Sequence, residues 1–432
     1  MSNLEELQNK FKTLNDPEEI MDTWYSIKEV HTQIEIHKEF REKIVEAVQV
    51  FAEKEKPTID AQIKFSSEVS TTPQMSMEQL LKISANVTSP IQKSLRPRRD
   101  GTMKRLLIVD GLNLYMRNYN ANPSISTNGD PIGGCKGFLA SLQRIARITN
   151  PDKIVVVWDG EGGSKRKRSM VGDYKSGRKP VRLNRMVRDL LTPEQELHNR
   201  SWQYERTISY LNNMPVHQIR IDGVEADDVI SYVNMMDDFS SWLRIIVSTD
   251  KDFYQCVSGP SPKYGQTIVF RPKSKGEYQI VREKDLIDEF GIHPCNFVIA
   301  RAMDGDKSDN LPGVPGVGLK TVSKRFPFLS QDKEYELHDI YTACEKTDAK
   351  AKIFENILKS KKLLQTNYNM MQLSSPNIPV QSIRMIKTCI REMDMSFNKT
   401  AVVSSMISDG FGAGNWDDLF AILNRFAAEG QQ

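Results

Sequence analysis

Short, uninterrupted runs of apolar residues recur through the middle of the chain, separated by segments of helical periodicity. Four such runs, at 105–109, 153–158, 217–221 and 243–247, are interpreted as strands. Continuous apolar strands are typical of sheets buried on both faces, and their alternation with helices indicates parallel pairing. The pattern therefore predicts an α/β fold with a mostly parallel central sheet and helices on both of its faces.

One predicted helix begins with an unusual density of negative charge. Its apolar positions follow the i, i+3, i+4, i+7 spacing of a buried stripe: Ala226, Val229, Ile230 and Val233. At about 100° per residue, Glu225 and Asp228 then lie side by side on the opposite face, with Asp227 beside them. Acids are common in a first helical turn because the helix macrodipole favours them there. Three neighbouring carboxylates repel one another, however, so the cluster indicates nearby cations.

Acidic residues also follow the other predicted strands, and a further pair occurs downstream. A single Asp-Gly after a strand is most often a turn, but acids at four corresponding strand ends favour a site. Asp306 and Asp309 are three apart, so a helical turn would point both the same way. The candidate metal ligands are Asp110, Asp159, Glu225, Asp227, Asp228, Asp250, Asp252, Asp306 and Asp309.

This set contains only hard oxygen ligands, which suit Mg²⁺ or Mn²⁺ and disfavour zinc. Two such ions about 4 Å apart would stabilise the attacking and leaving oxygens of a phosphoryl displacement. The sequence therefore predicts a site for two or more divalent ions that acts on phosphate esters.

A strongly basic segment lies between the second strand and the acidic helix. Residues 165–188 contain ten Lys and Arg but only one acid, Asp173, whereas residues 1–90 contain ten Lys and Arg and sixteen acids. A polyanion would therefore meet the middle of the chain. The run Lys165 to Arg168 is equally compatible with a nuclear localisation signal or a solvated face. Arg182, Arg185 and Arg188 recur every third residue, which predicts one face of a helix.

A turn rich in glycine and proline, residues 311–318, follows Asp309. Its exposed backbone N–H groups could bind phosphate, and its carbonyls could bind a monovalent cation. The alternative is a loop without a ligand. Because the turn follows two of the candidate acids and precedes Lys320, it favours contact with a DNA backbone.

The ends of the chain differ from the centre. Residues 1–56 have helical patterns that predict a hairpin or coiled coil, and residues 57–102 are predicted to be a linker with one short helix. We expect the α/β core over 103–295, with the basic segment at 160–200, and helices over 296–432. Five scattered cysteines, no signal-peptide pattern and no long apolar run predict an intracellular protein without disulfides, zinc fingers or a membrane span.

Together these motifs resemble the 5′-nuclease or flap endonuclease family, particularly the bacteriophage enzymes and the 5′-nuclease domain of bacterial DNA polymerase I. The matching stretches occur in the family's order over roughly residues 103 to 325. They are Ile108–Asn113, Val157–Gly160, Tyr174–Arg178, Gly223–Asp228, Ser248–Asp252 and Gly305–Gly318.

The resemblance implies a PIN-like 5′-nuclease core with a helical arch and a helix–two-turn–helix motif that holds duplex DNA, often with K⁺. It implies that Lys175 and Arg178 position the scissile phosphate and that Tyr174 stacks near the displaced base. The other residues expected to contact DNA are Arg117, Lys165, Arg166, Lys167, Arg168, Lys179, Arg182, Arg185, Arg188, Gly313, Gly316, Gly318 and Lys320.

Members of this family cleave 5′ flaps and frayed 5′ ends during DNA replication or repair, and many degrade the RNA of RNA–DNA hybrids. The resemblance thus implies a divalent-metal-dependent phosphodiesterase in the cytoplasm of a bacterium or of a phage-infected cell. A non-catalytic binder of DNA junctions is the alternative, in which the acids are structural. The N-terminal extension has no counterpart in the family, and we expect its helices to dimerise, to dock a replication partner, or to form a passive domain.

Overall fold

The computed structural model describes residues 3–16, 103–177, 180–261, 263–273, 276–347, 351–412 and 414–430. The chain forms two compact units, Met1–Val87 and Thr88–Gln432. In the first unit, helix α1 (Asn3–Thr13) is described and buries Phe11. The rest of the predicted helical extension and the predicted linker lie outside the described residues.

The second unit is built around a seven-stranded sheet. Its strands are β1 (Arg105–Asp110), β2 (Lys153–Asp159), β3 (His217–Ile221), β4 (Leu243–Val247), β5 (Ser258–Ser261), β6 (Gly265–Pro272) and β7 (Tyr278–Val281). The order is β3-β2-β1-β4-β6-β5, and β7 pairs with the same strand β6. The first five strands in this order are parallel, whereas β5 and β7 run antiparallel to β6. The predicted mostly parallel α/β sheet is confirmed, and β5 to β7 are strands that were not predicted.

Helices cover both faces of this sheet. Before β4 they are α2 (Gly111–Ala121), α3 (Gly133–Thr149), α4 (Lys165–Met170), α5 (Pro193–Asn212) and α6 (Ala226–Met235). Alternate residues of β1 pack into different cores: Leu106 and Ile108 join the cluster that contains α6, whereas Leu107 and Val109 join the one that contains α2 and α3. The apolar stripe of α6 is buried as predicted. The carboxyl ends of the strands are therefore fixed between two packed layers, one on each face of the sheet.

After the sheet the chain is helical. The helices are α7 (Glu283–Phe290), α8 (Phe297–Asp304), α9 (Leu319–Arg325), α10 (Leu337–Lys346), α11 (Lys352–Lys359), α12 (Lys361–Met371), α13 (Val380–Glu392), α14 (Lys399–Ser408) and α15 (Asp417–Gly430). In the described ranges, none of the helices has the length and hydropathy needed to cross a bilayer.

The segment predicted to form a helical arch is mostly irregular. It contains the six-residue α4 and a short 3₁₀ helix at Arg188–Leu190 before α5 begins. The prediction that Arg182, Arg185 and Arg188 line one helix face is therefore wrong. Leu183 and Val187 are buried in the core, which anchors this irregular backbone instead. Regular structure resumes at Thr192, whose side chain accepts from the Gln195 N–H in a capping box.

The region around Asp306 also differs from its prediction. Helix α8 ends at Asp304, and the backbones of Asp306 and Leu311 exchange two hydrogen bonds of 2.8 Å across a tight turn. Asp306 and Asp309 thus belong to a turn, not to a helix. Gly305 makes this possible, since its φ of +79° lies in the region that glycine tolerates.

Candidate active site

The carboxyl ends of the parallel strands open into a cleft of about 1530 Å³. Six of the nine candidate metal ligands line it. They are Asp110, Asp159, Asp227, Asp250, Asp306 and Asp309. Parallel pairing aligns the ends of β1, β2 and β4, so acids that are far apart in sequence share one edge of the sheet.

Asp110 is the last residue of β1 and the N-cap of α2. Its carboxylate accepts from the Asn113 N–H at 3.1 Å and from the Ser248 hydroxyl at 2.9 Å. The turn requires glycine at 111, because a Cβ there would lie 2.6 Å from the Trp158 ring. Burial raises the pKa of Asp110 to about 7, and the charges of Asp159 and Asp250 act in the same direction. The two hydrogen bonds lower this pKa but do not outweigh burial.

Asp159 and Asp227 are brought together by the start of α6. The Asp159 carboxylate accepts from the backbone N–H of Ala226 at 3.0 Å, so it satisfies one of the free N–H groups of that helix. Asp227, the next residue, faces the cleft. Burial, and then the charges of Asp250 and Asp110, raise the pKa of Asp227 well above its ordinary value. An ion that neutralised this wall would therefore be bound favourably.

The other side of the cleft is organised by Arg301, a residue that sequence reasoning missed. Its guanidinium bonds Asp252 at 3.0 Å and Asp306 at 2.5 Å, and its side chain is only 8% exposed. Asp252 in turn donates its backbone N–H to Asp250 at 2.8 Å. Despite Arg301, burial and the charge of Asp250 raise the pKa of Asp252 to about 7. A lone arginine in the apolar run Phe297–Met303 was the available signal, since buried arginines require partners.

Glu225 does not join the acids of the cleft. It accepts from Lys167 at 2.6 Å and Lys175 at 2.7 Å, and its side chain is 3% exposed. Burial alone would raise the pKa of Glu225, but the two lysines outweigh burial and lower it. Asp228 is buried beside this group; burial raises its pKa and Lys167 opposes the change. Metal binding by Glu225 and Asp228 stays a prediction, and at Glu225 it would require the ion to replace the contacts with Lys167 and Lys175.

The cleft acids are spread over the site and do not form a ready-made ligand cluster. Across the ranges that the structure describes, no three of the cleft carboxylates have oxygens that all lie within 4.8 Å of one another. Arg301 and Lys175 stand among them and carry the compensating charge. The donor set nevertheless consists of hard oxygens on a desolvated surface, which fits Mg²⁺ or Mn²⁺ and not a soft metal.

Three comparisons with known proteins bear on this cleft. Residues 105–291 match the 5′-3′ exonuclease, N-terminal resolvase-like domain. The chain is 30% identical over 275 residues to the flap endonuclease Xni of Shewanella halifaxensis, covering 63% of this chain and 94% of that protein. It belongs to the 5′-3′ exonuclease family.

The match to a longer relative is confined to one part of that protein. The chain is 29% identical over 225 residues to thermostable DNA polymerase I of Thermus aquaticus, and this covers 51% of the chain but 23% of the polymerase. Among solved structures, a zinc-bound T5 5′-exonuclease aligns with a TM-score of 0.47 and 17% identity, over 76% of this chain and 98% of that one.

In this member of the 5′-3′ exonuclease family, Tyr174 is not available to stack on a base. Its ring is 3% exposed, and Lys175 lies over it at 5.0 Å from the ring centroid. Lys167, expected to contact DNA, is also buried with Glu225. Both expectations are wrong for this conformation, because the two side chains pack beneath the basic segment instead of projecting from it. Lys175 does line the cleft.

The remaining cationic candidates fall into three groups. Arg117, Arg182 and Arg188 line the cleft, and Arg185 lies with Arg188 at a smaller neighbouring pocket. Exposed side chains that do not line the cleft are Lys165, Arg166, Arg168 and Lys320. Arg178 and Lys179 lie outside the described residues. Arg144 and Arg271 also line the cleft; isolated in the sequence, they carried no signal.

The glycine-rich turn of the family motif closes tightly onto α8. A Cβ on Gly313 would lie 2.1 Å from the carbonyl oxygen of Asp304, so glycine is required by close approach. Gly316 has a φ of +80° and is exposed, and Gly318 is the N-cap of α9. The arrangement of α8, turn and α9 has the form expected of a helix–two-turn–helix element.

Proposed function

We propose that this chain is a structure-specific 5′ nuclease that hydrolyses phosphodiesters near junctions of single-stranded and duplex DNA. The observation that carries the proposal is the convergence of six carboxylates on one cleft whose rim is lined by arginines and lysines. Acids alone would repel a polyanion, and cations on the rim attract it. The flap endonuclease relative supports the choice of 5′ flaps as substrate.

Mg²⁺ or Mn²⁺, in two or more sites, would supply charge neutralisation and an activated water at neutral pH. Asp110, Asp159 and Asp227 would hold one ion, and Asp250, Asp306 and Asp309 would hold another. Asp252 would keep Arg301 in place in the cleft. Lys175 and Arg301, which both line the cleft, would contact the phosphate.

The duplex would be held through its backbone at the turn of residues 313–318, with Lys320 adding charge at the start of α9. We further propose K⁺ as the ion bound by the carbonyls of this turn. The RNA strand of an RNA–DNA hybrid is a second candidate substrate, because the proposed contacts are to phosphates, which both kinds of strand share.

The decisive experiment incubates the purified chain with a 5′-flap DNA and Mg²⁺. We expect cleavage near the junction, and we expect Asp227→Asn to reduce the rate at least about 10³-fold while flap affinity stays within about threefold, because the lost carboxylate lies with the reacting phosphate. Asp288→Asn, an exposed acid on α7, is the control and should cleave normally.

A non-catalytic junction-binding protein makes the opposite prediction. Binding of the flap without product, in Mg²⁺ and also in Mn²⁺, would establish that alternative. Cleavage by Asp227→Asn at the normal rate would show that the acidic cleft is structural.

A further inference from the structure

A second group of metal-binding side chains lies outside the catalytic cleft. His293, Cys295 and Asp332 each offer one ligand atom, and these atoms all lie within 4.8 Å of one another. Among the residues that the structure describes, this is the one set of three His, Cys, Asp or Glu that meets that criterion. None of the three lines the cleft, so the group does not belong to the proposed nuclease site.

The imidazole of His293 points a nitrogen without a hydrogen-bond partner into this group. Its side chain is 8% exposed, and Nε2 is buried without a hydrogen bond. Two carboxylates lie near this atom, Glu283 Oε2 at 3.5 Å and Asp332 Oδ1 at 3.6 Å. A hydrogen bond from N–H to oxygen is shorter, about 2.7–3.2 Å. Two donors on one tetrahedral zinc ion, at bond lengths of about 2.0–2.2 Å, lie about 3.3–3.6 Å apart.

Cys295 adds a soft donor to the same place. Its Sγ lies 2.9 Å from His293 Nδ1, whereas the backbone N–H of Cys295 makes a longer contact of 3.4 Å to that nitrogen. A set of one nitrogen, one sulfur and carboxylate oxygens is suited to zinc and not to Mg²⁺.

The loop that carries Asp332 is held in position independently of any metal. The side chain of Asn296, fully buried, donates to the carbonyls of Leu329, Gln331 and Lys333 and accepts from the N–H of Tyr335. The backbone that carries Asp332 is therefore fixed before an ion binds, which lowers the entropy cost of binding.

We propose that His293, Cys295 and Asp332 form a zinc site, with water as the fourth ligand. The ion would join the residues before α8 to the segment after the 3₁₀ helix Pro327–Ser330. The site was not visible in the sequence, since the cysteines have no zinc-finger spacing and Asp332 is remote. The competing interpretation needs no metal: a protonated His293 forms ion pairs with both carboxylates.

The first test is Co²⁺ titration of the full-length chain in excess Mg²⁺, which occupies the hard-oxygen sites of the cleft. We expect the near-ultraviolet absorption of a thiolate bound to cobalt. Cys295→Ser should abolish this absorption, and the matched control Cys389→Ser, at another partly buried free cysteine, should retain it. Absence of the band in the unmodified chain, or its survival in Cys295→Ser, would overturn the proposal.

The second test measures thermal stability with and without Zn²⁺, again in excess Mg²⁺. Zinc should raise the melting temperature of the unmodified chain. Asp332→Asn, whose side chain is 92% exposed and should not impair folding, should lose most of the increase. We expect its zinc affinity to fall by more than the roughly 10–100-fold typical of outer-shell partners. Asp288→Asn is the control; a melting temperature that zinc leaves unchanged in every variant would establish the ion-pair interpretation.

Discussion

Single residues in the cleft act mainly through charge compensation. Arg301 is buried and bonds two carboxylates from different elements, Asp252 and Asp306. The reverse arrangement occurs at Glu225, where one buried carboxylate is bonded by two lysines, Lys167 and Lys175. Removing one member of such a group leaves an uncompensated buried charge, which costs far more free energy than the intact pair contributes. These cations are therefore important for the stability of the fold.

Arg301→Met should lower the free energy of unfolding by about 3–5 kcal/mol at neutral pH, because two carboxylates lose their partner. Arg391→Met is the matched control. Its ion pair with Asp238 is well aligned, but the Arg391 side chain is 52% exposed, so the loss of this pair should cost much less free energy. Urea denaturation measures both. Equal losses in the two variants would contradict the compensating role of Arg301.

Among the elements, turns position more of the site than helices do. Asp110 and Asp159 end β1 and β2, Asp250 follows β4, and Asp306 and Asp309 lie on the turn between α8 and α9; of the six cleft acids, only Asp227 lies in a helix. The carbonyls and N–H groups of these turns are satisfied locally, as in the paired backbone of Asp306 and Leu311. Glycines allow the tight turn for two different reasons. At Gly313 a side chain would clash with the backbone, and at Gly316 the positive φ would strain any other residue.

Two glycines of the turn before α9 differ in whether the backbone conformation requires glycine. Gly316→Ala should destabilise the chain by about 1–2 kcal/mol, because φ is +80° and an L residue is strained there. Gly318→Ala should cost less, since φ is −121° and the nearest atom to a new Cβ is 3.5 Å away. Thermal denaturation of the two variants checks this order; a larger loss at position 318 would refute it.

Over the whole molecule, the acidic edge of the sheet links stability to pH and to metal. The pKa values of Asp110 and Asp252 are raised to about 7 in the folded chain, above the ordinary 3.8. Between these values the unfolded state has released protons that the folded state still binds. Stability without metal therefore falls as pH rises from about 4 to about 7. The lowered pKa values of Glu225 and Asp306 change the stability only at lower pH. Above about pH 5 both groups are ionised in the folded and the unfolded chain.

The melting temperature in EDTA should accordingly be higher at about pH 5 than at about pH 8, and Mg²⁺ should raise it more at the higher pH. The reason is that the ion binds the carboxylates in their ionised form. Asp110→Asn should reduce both the pH dependence and the effect of Mg²⁺. A stabilisation by Mg²⁺ that is independent of pH would show that these acids do not bind the ion.

The division into two units predicts that the second functions alone. Deleting residues 1–100 removes the unit Met1–Val87 and leaves the sheet and every proposed site residue intact. We expect flap cleavage to stay within about threefold of the full-length rate, because none of the proposed ligands is lost. The solution mass of both proteins, measured by light scattering, tests dimerisation by the extension. Loss of cleavage on deletion would place part of the site in the first unit.

By itself, the sequence determined the fold class and the edge of the sheet at which the chemistry occurs. The four predicted strands have the bounds of β1 to β4 within one residue, because strands buried on both faces must be continuously apolar. The acids at the strand ends could also be located from the sequence, because they are at or next to the last residue of a recognisable apolar run. Strands β5 and β7 were missed because they are short antiparallel strands of mixed polarity. Strand β6 was missed because its apolar run, Ile268–Phe270, has only three residues.

Only the tertiary structure decided which acids share a surface and which are paired with cations. Glu225 and Asp227 are two residues apart, yet one contacts lysines and the other faces the cleft. Arg301 and the group around His293 depend on contacts between remote segments, which no local pattern encodes. Packing determines the dielectric and the neighbours of each charge, and these set the pKa and the role of a residue.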